Sequence, residues 1–212
     1  MPKGGGLASN SLLNEVVLFF EDKKMITTLV EAYPAGEIKL QLNITIRLLS
    51  IYSRTQKEIE IKQTLLDLFA TEKQKIKGSV YLSDITQNIE NIVGVSSSDI
   101  AEIQAIPYPL PIAPNNKMLD WTITPINSII VTKFKILVQS SVNYQLFRND
   151  VFVSNYVFGV LVNVTECSFR INNDNYSVGD TWEFIMYPKN KNIILEEASI
   201  PALYENDIVL NL

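Results

Sequence analysis

The sequence predicts an α+β protein: a small mixed α/β unit near the N-terminus, followed by an all-β, sandwich-like C-terminal domain. Three observations carry this. Between Ile38 and Leu48 apolar and polar residues alternate without a break. Around Leu12–Phe20, Ile61–Phe69 and Ile85–Ile92 the apolar residues recur at helical spacing instead. Beyond Ile129 only the two-residue period of strands remains. A switch from mixed to purely alternating periods marks a change of architecture along the chain.

Each element follows from local chemistry. Ser11 to about Met25 is expected to be a helix, with Leu12, Val16 and Phe19 or Phe20 on one side and Asn10 or Ser11 as cap. Tyr33-Pro34-Ala35-Gly36 is expected to turn the chain. In the next strand Ile38, Leu40, Leu42, Ile44, Ile46 and Leu48 face a core, and Lys39, Gln41 and Arg47 face water. Ser53 or Thr55 opens a second helix through Ile61, Leu65, Leu68 and Phe69. Val80 and Leu82 share a short strand, and Ser83 caps a helix bearing Ile85, Ile89 and Ile92. Gly94 ends that helix in the left-handed region, and Asp99–Ile103 returns as a strand.

Prolines at 107, 109, 111 and 114, interleaved with Tyr108, Leu110 and Ile112, predict an extended arm lying against a surface. Further on, Phe134, Ile136 and Val138 alternate, and Val142 to Leu146 turns at Arg148-Asn149-Asp150 into Val151-Phe152-Val153. Phe169 and Ile171 are expected to pair with Tyr176 and Val178 across a polar turn, before Thr181–Phe184. The expected organisation is a flexible lead over 1–9, an α+β unit over 10–105, a Pro-rich linker or docked arm over 106–127, and a β-sandwich-like domain over 128–212.

Composition narrows the chemistry. The chain of 212 residues has 18 basic and 23 acidic residues and a net charge of −5. It shows no basic stripe, so no nucleic-acid partner is expected. With no histidine and a single cysteine, Cys167, it has neither imidazole for acid–base work nor thiols for a disulfide or metal cluster. Cys167 alternates within a strand pattern, as a packed residue does. Asn172, Asp174, Asp180 and Glu183 gather oxygens without calcium-loop spacing, and turn chemistry accounts for them. Glu196-Glu197, with Glu205 and Asp207 nearby, is expected to be a solvated edge. No catalytic residue, cofactor or metal is expected.

Met1–Asn10 holds no apolar segment of a secretory signal, and Val16–Phe20 is too short to span a bilayer. Synthesis in the cytoplasm is therefore expected, with no membrane insertion and with the Asn-X-Ser/Thr triplets at 43, 163 and 175 unmodified. Trp182, Tyr176 and Tyr187 suggest an aromatic platform for a glycan, although core packing explains such residues too.

One resemblance gives these elements a context. From about residue 10 to 104 the chain resembles the C-terminal part of the baseplate J-like family, which includes inner wedge proteins of phage tail baseplates. The likeness lies in Ser11-Leu12-Leu13 opening a helix, the alternating strand, and the helix around Ile61–Phe69. It continues in Gly78-Ser79-Val80-Tyr81-Leu82-Ser83-Asp84-Ile85 and Ile89-Glu90-Asn91-Ile92-Val93-Gly94-Val95. Members usually carry a large N-terminal part not seen here, and the β-rich part from about 128 onward is outside the shared core. The resemblance implies a non-enzymatic virion component, with other tail or baseplate proteins and copies of itself as partners, and residence in the tail. Tyr108, Leu110 and Ile112 are the expected contact residues. The alternative is a carbohydrate-binding adhesin or receptor-binding module.

Overall fold

Strand β1 (Gly36–Leu48) lies at the centre of a three-stranded sheet, and its alternation is realised: Ile38, Leu40, Leu42, Ile44 and Ile46 are all buried. The computed structural model describes residues 8–25, 28–32, 36–70, 73–76, 78–107, 109–112, 119–126, 128–172, 176–195 and 199–212. The expected turn at Tyr33–Ala35, together with Tyr108, Pro114, Asp174 and Glu196–Glu197, lies outside them. The chain is mostly β, with 46% strand and three short helices among the described residues.

The elements run in the expected order through the first half: α1 (Asn10–Glu21), β1, α2 (Arg54–Leu68), β2 (Ser79–Val80), α3 (Leu82–Glu90) and β3 (Val95–Ile106). Strand β3 pairs antiparallel with β1. Helices α2 and α3 cover the apolar face of β1, placing Ile61, Leu65, Ile85 and Ile89 in one core with it. Each such buried side chain stabilises by about 1.5–3 kcal/mol.

Local details differ from expectation. Helix α1 is capped by Ser9, whose hydroxyl accepts from the Leu12 amide. Helix α3 starts at Leu82, so Leu82 does not continue a strand and Ser83 is not its cap. The Leu82 N–H instead donates to Oδ1 of Asn192, at 3.0 Å. Lys39 and Gln41 are half-buried rather than open, because β1 has a neighbour on both sides.

The second half contains β4 (Leu110–Ile112), β5 (Trp121–Pro125), β6 (Thr132–Val138), β7 (Asn143–Arg148), β8 (Val151–Val157), β9 (Leu161–Asn163), β10 (Cys167–Ile171) and β11 (Thr181–Met186). They form a five-stranded sheet in the order β4-β11-β6-β7-β8 and a three-stranded sheet in the order β5-β10-β9. The two face each other across a second core of Phe134, Tyr144, Phe169, Trp182 and Phe184. Asn149 and Asp150 take positive φ in the tight β7–β8 turn, as their side chains permit. Tyr176 and Val178 do not pair with β10, whose neighbours are β5 and β9.

The chain then returns to the first core. Strand β12 (Ile193–Ile194) pairs with β2, and β13 (Ser199–Asn211) pairs in parallel with β1. Tyr187, Ile193, Leu195, Leu203 and Ile208 all pack in the α+β core. The expected grouping of residues 128–212 into one β unit is corrected by this register. The β unit interrupts the α+β unit, which is closed by the last strand of the chain. An alternating strand suits either sheet equally well, so its period alone does not name its neighbour.

Candidate interaction site

The Pro-rich run folds onto its own chain. Strand β4 pairs antiparallel with β11, setting Leu110 opposite Glu183 and Ile112 opposite Thr181. Pro107 and Pro109 are buried, and Pro111 and Ile112 are half-buried. A proline inside so short an outer strand is tolerated, because its missing N–H has no ladder bond to make on the open side. Of the three expected contact residues, Leu110 and Ile112 therefore form a sheet edge, and Tyr108 lies outside the described residues.

A larger apolar surface sits on α1. Leu12, Leu13, Val16, Val17, Phe19 and Phe20 occupy a contiguous arc of roughly 160° at 100° per residue. None of these residues belongs to either core. Phe19 is 61% exposed, Val16 and Phe20 are exposed beside it, and Leu12, Leu13 and Val17 are half-buried. The helix is held by its Ser9 cap, by Lys23 lying 3.1 Å over the Phe19 ring, and by the edge contact of Phe19 with Phe20. A twelve-residue helix is marginal in water by itself and normally gains its stability by covering its apolar side. The arc is visible in the sequence; that neither core of the described residues takes it up is not.

The second uncovered feature is β8, the outer strand of the five-stranded sheet. Val151, Phe152, Val153 and Val157 are exposed along it, and no residue in it is charged.

A polar cleft opens where β13 bulges. Leu40 pairs with Leu203 and Leu42 with Ile208, so residues 204–207 stand opposite Gln41 alone. The resulting cavity of about 240 Å³ is lined by Gln41, Asn43, Glu102, Asn206 and Asp207, among others. Asp207 is buried, which corrects the expected solvated edge, and its Oδ1 pairs with Lys39 at 2.9 Å. Glu102 pairs with Lys189 at 2.8 Å. Both carboxylates are thus committed to ion pairs. Beside the bulge, the hydroxyl of Tyr204 donates to Glu37 at 2.6 Å, and this bond with partial burial pushes the phenol up to about 12.

The remaining candidates resolve into structural roles. Asp180 accepts from the Ser177 amide, Glu183 pairs with Lys133, and Asn172 donates to Asp120. No cluster among the described residues has the make-up of a metal site. Trp182, Tyr176 and Tyr187 are all buried, so they present no platform to a glycan. Glu166 is buried beside Cys167 and pairs with Arg148. No described helix is long and apolar enough to cross a membrane.

Comparison of the chain with protein-family models and with characterised proteins finds no match. The surfaces themselves therefore carry the functional argument.

Proposed function

We propose that the chain is a non-enzymatic structural component of a phage tail baseplate, a wedge-like assembly protein that works by binding its neighbours. The observation that carries this reading is α1: a helix with a wide apolar arc outside both cores of the described residues. Apolar patches of this kind mark protein contact sites. The polar side of α1 holds Glu15 and Glu21, which offers nothing to an anionic lipid surface and leaves protein as the suitable partner.

In this reading the α+β unit joins wedge neighbours, and the inserted β unit meets another tail protein. Multiple copies around the tail bury their apolar faces against one another. The element order from α1 to β3, over the stretch that resembles the baseplate J-like family, supports the same reading.

Purification of intact particles tests it. The protein is expected as a stoichiometric tail component, and Val16→Lys with Phe19→Lys, both exposed on the arc, is expected to reduce its incorporation. Particles that assemble fully without the protein would overturn the reading.

A further inference from the structure

We propose that β8 pairs edge to edge, antiparallel, with β8 of a second copy of this chain, joining two five-stranded sheets about a two-fold axis. The contact rests on the assembly reading above, in which copies lie side by side.

The two edges of this sheet are built differently. One is β4, three residues long and interrupted by Pro111. Short strands and prolines are the usual protection of an edge. The other is β8, seven residues without proline, with β7 on one side and no described strand on the other. Its backbone donors and acceptors on that open side form a template for another strand.

Charge selects the occupant. Strand β6 carries Lys133 and Lys135, β7 carries Arg148, and β11 carries Glu183, whereas β8 carries no charge at all. An antiparallel copy therefore brings no like charges opposite one another, and a foreign charged strand finds nothing to complement. Two-fold pairing also makes the patch self-complementary, as isologous contacts require.

The register of β7 and β8 shows where the ladder runs. Leu146 pairs with Ser154 and Phe147 with Phe152, so Val153 is an extra residue in the edge strand. The regular run Ser154–Val157 supplies the intermolecular ladder. Val151, Phe152 and Val153 supply the apolar flank, with Phe152 braced against the Phe147 ring at 5.8 Å.

The full chain tests this by sedimentation velocity and by hydrogen exchange at two concentrations, in parallel on a Phe19→Lys background that blunts association through the apolar arc of α1. A dimer is expected on both backgrounds, with amides of 151–157 protected as it forms. Val151→Lys with Val153→Lys, at exposed positions, is expected to raise the dimer dissociation constant about tenfold or more. An unchanged melting temperature would separate this effect from misfolding. A dimer whose β8 amides exchange as in the monomer would overturn the proposal. A chain that stays monomeric yet is found in intact particles would overturn the β8 contact and leave the assembly reading standing. A β8 dimer absent from particles would do the reverse.

Discussion

Gly94 lies directly beneath the ring of Tyr52: a β-carbon added to it would stand 2.7 Å from Tyr52 Cδ2. Gly94 also has a φ of +99°, and its carbonyl accepts from the Leu49 amide at 2.9 Å. The helix α3 has already ended at Glu90 with Asn91 as its cap, so Gly94 does not stop it; the residue instead turns the chain into β3 and anchors the exit of β1. Only glycine meets both demands, because a side chain would strain the backbone and collide with the ring.

Gly94→Ala is expected to lower unfolding free energy by about 2–4 kcal/mol, combining left-handed strain with overpacking. Tyr52→Ala in the same chain should recover the collision but not the strain. Urea unfolding of the two single variants and the double variant measures that coupling. Strict additivity would show that the ring moves aside freely.

Asn192 caps α3 from a position 110 residues away, through the Leu82 amide. Asn192→Ala is expected to cost about 1 kcal/mol. Ser83→Ala, at the residue whose type and position suggest the cap, should change stability by less than about 0.5 kcal/mol. Thermal denaturation of the pair distinguishes the long-range cap from the local one.

The parallel pairing of β13 with β1 makes the C-terminus part of the first core. A fragment of residues 10–106 is accordingly expected to lack a cooperative unfolding transition. Co-expression with residues 187–212 should restore one, read by circular dichroism and amide dispersion. A fragment that folds without the C-terminal strand would show that β13 decorates the sheet and does not complete it.

Burial, with the Glu166 carboxylate adding to it, pushes the Cys167 thiol up to about 12. At pH 8 the folded chain then holds on the order of a thousandfold less thiolate than a free cysteine does. Disulfide-reagent labelling is expected only after denaturation.

The sign of the alkaline effect follows from the same shift. Below the ordinary value of 9.0 both states keep the proton, and the stabilisation is fully present. Between there and about 12 the unfolded chain releases its proton while the folded chain holds it, so stability falls as pH rises. Tyr144, raised chiefly by burial, acts in the same direction at higher pH. Urea midpoints between pH 8 and 11 should decline, and less steeply for Cys167→Ala.

By itself the sequence determined the features whose causes are local. The β1 alternation shows which face is buried, since consecutive side chains in a strand point to opposite sides. The helical spacings of α2 and α3, the left-handed conformation of Gly94 and the Asn149-Asp150 turn depend on neighbouring residues and are legible for that reason, although α3 itself ends earlier, at Glu90. The absence of histidine and the single cysteine narrowed the chemistry before any fold was known.

Only the tertiary structure decided which elements meet. It put β13 beside β1 across more than 150 residues, turned the proline run into β4, and buried Tyr176, Tyr187 and Trp182. It also left the apolar arc of α1 outside both cores and the edge of β8 without a partner strand among the described residues, and these became the candidate site. The physical reason is the same in each case. A period records that a face is apolar, whereas its cover is chosen by packing among residues far apart in the chain, or in another chain.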